Sequence, residues 1–113
     1  MKFLKIAVLC MIALGLVFSS AFAMQHTPEE RGKTLFNDPK AFGGKTSCSS
    51  CHPEGMGLEM AGTKKEWTTP AGTTKTLEEA INLCIVNANM GKAIDVKSEQ
   101  MKDMIAYIKT LGK

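Results

Sequence analysis

Cys48-Ser49-Ser50-Cys51-His52 constrains this chain more than any other stretch of it. Two thiols separated by two residues reach one edge of a flat macrocycle when the intervening chain makes a helical turn. The imidazole next in sequence can then swing beneath the centre of that macrocycle. Cys-x-x-Cys-His is the attachment signature of c-type haem, in which the thiols add across two vinyl groups and the histidine takes one axial site of the iron. A structural zinc site would need a second ligand pair, and beyond the motif and the leader only Cys84 and His26 remain. A dithiol redox site belongs in a βαβ context, which this chain lacks. The motif therefore predicts one covalently bound haem c, held by Cys48 and Cys51, with His52 as the proximal iron ligand.

The N-terminus is consistent with a cofactor attached after export. Lys2 and Lys5 precede an uncharged apolar run from Ile6 to Phe18, and Ala21-Phe22-Ala23 closes it. That order of basic, apolar and small-residue segments is a secretory signal peptide. Residues 1–23 are read as the signal and residues 24–113 as one domain, delivered to the periplasm. The alternative, an uncleaved membrane anchor, has a short apolar run against the roughly 20 residues a spanning helix needs. Cys10 follows Leu9 rather than a small residue and makes a poor lipoprotein site.

Cleavage changes the charge balance. Losing Lys2 and Lys5 takes the 14 Lys+Arg to 12 against 11 Asp+Glu, so the formal charge falls from +3 to about +1. The remaining lysines form no cluster, which argues against nucleic acid as a partner. A domain this small buries a modest core, so the porphyrin is expected to supply much of its apolar centre. Cys84 is left without a partner cysteine.

Sequence punctuation gives a helix, loop, helix, loop, helix order with almost no sheet. Thr27-Pro28-Glu29-Glu30 combines a cap, a proline at the first helical position and the acid of a capping box. This helix should carry Gly32, Leu35 and Phe36 and fail near Asn37-Asp38-Pro39. Residues 53–74, rich in Gly, Thr and Pro, read as irregular chain around the haem. Within them Trp67 either packs near a propionate or the porphyrin edge, or stands on the surface. A second box, Thr76-Leu77-Glu78-Glu79, opens a helix with Leu77, Ile81, Cys84 and Ile85 on one stripe. A last helix from near Ser98 places Met101, Met104, Ile105, Ile108 and Leu111 on one face, with Gly112 as its stop.

Taken together, Gly32-x-x-x-Phe36, the Cys-x-x-Cys-His motif and a terminal helix with Ala106-Tyr107-Ile108 resemble a class I monohaem cytochrome c. The resemblance covers residues 24–113 and implies an all-α fold of three main helices and loops around one haem. It also implies that the first and last helices cross closely, with Gly32 or Phe36 against Tyr107, and it makes Tyr107 a haem-pocket candidate beside Trp67. Thioether bonds in such proteins are made outside the cytoplasmic membrane, in agreement with a leader.

The sixth ligand separates the possible functions. Met90 lies 38 residues after His52 and 17 before Tyr107, where class I cytochromes carry their distal methionine, although Gly91 follows it where proline is common. Methionine favours the reduced iron and raises the potential. The segment Ile81-Asn82-Leu83-Cys84 with Met90-Gly91-Lys92 is also similar to a haem domain of thiosulfate dehydrogenases and related sulfur-oxidising cytochromes. That resemblance implies a Cys84 thiolate on the iron. Met90 is the first expectation for the distal ligand and Cys84 the alternative. Function follows in the same order. First stands a monomeric periplasmic one-electron carrier, not an enzyme, meeting redox partner proteins and leaving the membrane once its leader is removed. The alternatives are the haem subunit of a sulfur-compound oxidoreductase and a ligand-binding or sensing haem protein.

Overall fold

A computed structural model describes residues 26–112. The expected leader, residues 1–23, lies outside them. Among the described residues no helix is long and apolar enough to cross a membrane.

Three helices form the frame. Helix α1 (Pro28–Asn37) starts on a complete capping box: the Thr27 hydroxyl accepts from the Glu30 N–H at 3.2 Å, and the Glu30 carboxylate accepts from the Thr27 N–H at 2.9 Å. Helix α2 (Leu77–Leu83) opens with the Thr76 hydroxyl accepting from the Glu79 N–H. Helix α3 (Glu99–Thr110) is capped by Ser98 on the Met101 N–H. These caps satisfy amides that the first turn leaves without partners.

Helices α1 and α3 cross at Gly32. A Cβ built there would lie 2.8 Å from the Tyr107 Cβ and closer still to the Asp103 carbonyl oxygen, so only glycine lets the backbones approach this far. One turn along, Phe36 meets Tyr107 edge to face, with centroids 5.2 Å apart and planes at 62°. One residue before Gly32, Arg31 grips the buried Asp103 with two bonds of 2.9 Å each. Phe36, Ile85, Met101 and Met104 are the largest fully buried side chains, each worth about 1.5–3 kcal/mol of transfer free energy. The expected crossing, with both Gly32 and Phe36 against Tyr107, is observed.

The segment expected to be irregular contains a small hairpin. Strands β1 (Trp67–Thr69) and β2 (Gly72–Thr74) pair antiparallel, with Trp67 opposite Thr74. Threonines supply the β-branched residues and Pro70-Ala71 the turn. Three-residue strands are too short to reveal a period of two, which is why the pattern looked featureless in sequence. The rest of residues 53–66 winds through tight turns, including a 3-10 turn at Pro53–Gly55.

Helix α2 does not end where its stripe ends. It continues as one π turn, Cys84–Ala88, closed by the Asn89 N–H on the Cys84 carbonyl at 3.0 Å. The chain leaving this turn is fastened to the chain entering the cysteine motif. The Lys45 N–H donates to the Asn89 carbonyl and the Lys92 N–H to the Phe42 carbonyl, each at 2.8 Å. The backbones are so close that a Cβ on Gly91 would lie 2.7 Å from the Phe42 oxygen.

Candidate haem site

The motif is wound as a short helical turn. Cys48–Ser50 is a 3-10 turn, and the His52 N–H closes onto the Cys48 carbonyl at 3.0 Å. Ser47 anchors it: its buried hydroxyl lies 2.8 Å from that of Ser49 and 3.1 Å from that of Ser50. Cys48 is half-buried and Cys51 exposed. The Asn89 side-chain amide donates to the Cys48 sulfur at 3.4 Å. Burial pushes the Cys48 thiol up, and that amide pulls in the opposite direction.

His52 Nδ1 lies 2.9 Å from the Met56 carbonyl oxygen. A carbonyl can only accept, so Nδ1 is the donor, and in the neutral ring this leaves the Nε2 lone pair free for a metal. This is the arrangement in which metal-ligating histidines are held, their second nitrogen fixed by a carbonyl that sets tautomer and ring orientation. Sequence reading could not have found this partner, because a backbone carbonyl leaves no compositional trace.

Through Cys48 and His52, with Cys51 outside the wall, the motif borders a cavity of about 920 Å³, its open mouth included. All three helices and the first strand of the hairpin contribute to its wall. Phe36 comes from α1, Leu77, Ala80, Ile81 and Cys84 from α2 and its π extension, and Met104 and Ile108 from α3; Leu58 and Ala61 precede the hairpin, which adds Trp67 and Thr68-Thr69-Pro70. Of the stripe Leu77, Ile81, Cys84 and Ile85 read from sequence, the first three face this cavity and Ile85 is buried in the core. Two thiols, a tautomer-fixed imidazole and a largely apolar wall fit the chemistry of a covalently held porphyrin.

The remaining candidates separate clearly. Trp67 lines the cavity, and its indole N–H is taken by the Ala61 carbonyl at 2.8 Å, so it offers the cavity its ring rather than a donor. Cys84 lines the cavity together with Cys48 and His52. Its thiol is pushed up by burial first and then by the Cys48 and Cys51 thiols. Met90, the first expectation for the distal face, is not in the wall. It is 55% exposed, and its backbone is left-handed at φ 58°, with the following N–H, that of Gly91, on the Ile85 carbonyl at 2.8 Å. Tyr107 is also outside the wall, because the crossing uses its ring against Phe36; burial, and then the Glu54 charge, raise its phenol. Lys64 lines the cavity although nothing in the sequence marks it: the pair Lys64-Lys65 in a Gly/Thr-rich loop carries no signal of a site.

Helices crossing at a glycine, a Cys-x-x-Cys-His turn with a carbonyl-fixed histidine, and an apolar cavity at its side define a c-type cytochrome haem domain that binds haem c covalently. The chain belongs to the SoxA/TsdA cytochrome c domain family, whose model matches residues 31–113. It is 29% identical over 85 residues to a thiosulfate dehydrogenase of Psychrobacter arcticus. That alignment covers 66% of this chain and 25% of the relative, so the chain spans about a quarter of the length of the curated relative it matches. No solved structure matches it at a comparable level.

Proposed function

We propose that this chain is an electron-transfer haem c domain serving the oxidation of a sulfur compound, in which His52 and Cys84 would hold the iron. Cys48 and Cys51 provide the thioether tethers in this reading, and the protein works outside the cytoplasmic membrane after losing residues 1–23. The observation that carries it is the shared cavity wall of Cys48, His52 and Cys84, from which Met90 is absent. Membership of the sulfur-cytochrome family and the thiosulfate dehydrogenase relative support the substrate class.

Bound haem supplies one-electron iron chemistry; the chain decides at what potential. The Met56 carbonyl keeps the His52 ring oriented and Nε2 free to donate. A Cys84 thiolate is an anionic donor, which favours ferric iron and lowers the potential relative to a thioether. His52 and Cys84 would hold the iron of a bound haem, and ligands fixed by the fold would suit it to one-electron relay. Asn89 bonds both to the carbonyl of Cys84 and to the sulfur of Cys48, tying the segments that carry the two cysteines together.

The test is a pair of variants read by electron paramagnetic resonance and potentiometry. Cys84→Ser should replace the thiolate signature of the ferric protein and raise the potential, while Met90→Ala leaves both unchanged. The opposite pattern assigns the iron to Met90 and withdraws the sulfur reading. Electron uptake from thiosulfate, alone and with a sulfur-oxidising partner enzyme, then separates relay from catalyst; reduction only with the partner is expected.

A further inference from the structure

We propose that the ammonium of Lys64 is the counter-ion of a haem propionate. The inference rests on haem occupying the cavity beside Cys48 and His52, and is independent of which sulfur is the distal ligand. Haem brings two carboxylates, on the edge of the macrocycle opposite its vinyl groups. Tethering the vinyl edge at Cys48 and Cys51 therefore sends the propionates away from the motif, and their partner has to come from another part of the wall.

The polar heads in that wall are nearly all engaged within the chain. The Trp67 indole N–H donates to Ala61, and His52 Nδ1 to Met56. The Thr69 hydroxyl donates to the Gly72 carbonyl at 3.1 Å and accepts from the Ala71 N–H at 3.2 Å. The Thr68 hydroxyl is shared with that of Thr73 at 3.3 Å. Lys64 is the one lysine or arginine in the wall, and among the described residues its ammonium makes no hydrogen bond or ion pair. Glu66, two residues on, is engaged by Lys75 and does not compete for it. Lys64 is both a wall residue and exposed, and a lysine in that setting can lay its stem on apolar surface and offer its head to a carboxylate at the water boundary.

Such a pair is exposed, so its effect is modest and weakens with salt. Removing the cation leaves a propionate charge uncompensated near the iron, which favours the ferric state. Lys64→Gln in the holoprotein should lower the midpoint potential and shift the propionate-bending band in the resonance Raman spectrum. Lys64→Arg should restore both, and added salt should shrink the difference in potential between wild type and Lys64→Gln. An unchanged Raman band overturns the pairing even if the potential falls, since charge then acts without contact. Weaker binding of added sodium thiosulfate by Lys64→Gln, with the Raman band unchanged, overturns it in favour of a site for free anions. Mass analysis of the haem peptide keeps the two readings distinguishable: haem absent from the fragment spanning residues 48–52 refutes the site itself, whereas haem present there with an unchanged band refutes Lys64 alone.

Discussion

Replacing Gly32 with alanine adds one carbon at the tightest point of the molecule. On the favourable side, alanine is a better helix former than glycine by about 1 kcal/mol. Against it, the new Cβ meets the Asp103 carbonyl and lies 2.8 Å from the Tyr107 Cβ. Neither obstacle is the free end of a pliable side chain, so the helices themselves have to part. Overpacking of this kind costs about 1–3 kcal/mol, and rigid obstacles put it at the upper end. Parting also opens the edge-to-face contact of Phe36 with Tyr107, worth about 0.5–1.5 kcal/mol beyond its buried area. The net loss is about 2–3 kcal/mol. For a domain of this size each kcal/mol moves the melting temperature by about 4–8 °C, so a fall of roughly 10–20 °C is expected. Thermal melting of the holoprotein followed by far-ultraviolet circular dichroism measures it, with Lys33→Ala on the exposed face of the same helix as control. A melting temperature at or above that of wild type would refute the argument, because propensity would then have outweighed the clash.

Replacing both Cys48 and Cys51 with alanine should make the haem extractable with acid-acetone; retention through a covalent bond would show the motif to be misassigned. Thr27→Ala removes the hydroxyl half of the α1 capping box and should cost about 0.5–2 kcal/mol in a denaturant titration, against no change if the cap is ornamental to the holoprotein. The Glu30 carboxyl is held below its ordinary 4.5 by the Thr27 backbone N–H and then by His26. Its folded value is depressed, so its contribution is complete above pH 4.5 and drains away as pH falls through the lower folded value. Glu30→Gln should therefore flatten the decline of melting temperature with acid in that window; parallel wild-type and variant curves would remove Glu30 from the account. Protein recovered from the periplasm should begin at or near Met24, and an intact N-terminus in the membrane fraction would support an anchor instead.

The parts of this molecule that could be read in advance are those encoded by neighbours in the chain. The cap at Thr27, the helix bearing Gly32 and Phe36, the stripe of α2 and the helix after Ser98 each depend on spacing within a few turns, and each forms. The hairpin escaped because Thr68-Thr69 and Thr73-Thr74 flank a turn with too few residues to show alternation. Placing Met90 and Cys84 relative to the cavity required geometry. Both were compatible with loop lengths, and what separates them is the π turn, which leaves Cys84 on the cavity stripe and carries Met90 beyond it. The Met56 carbonyl opposite His52 could not be read at all, because every residue has one.

The paired backbone of residues 42–45 and 89–92 has a consequence for how the domain breathes. It closes a long loop without a disulfide, leaving all three described cysteines free for other chemistry. The hairpin, which lines part of the cavity, is one short segment of the loop that this pairing closes. Strands of only three residues open at little cost, whereas the paired backbone is tied to the fully buried Ile85 through the Gly91 N–H. The hairpin can therefore fray without changing the frame that spaces Cys48 from Cys84. In hydrogen exchange this is a two-tier molecule, in which the Lys45 and Lys92 amides outlast those of the hairpin. The hairpin part of the cavity wall and the spacing of Cys48 from Cys84 are then governed by separate parts of the chain.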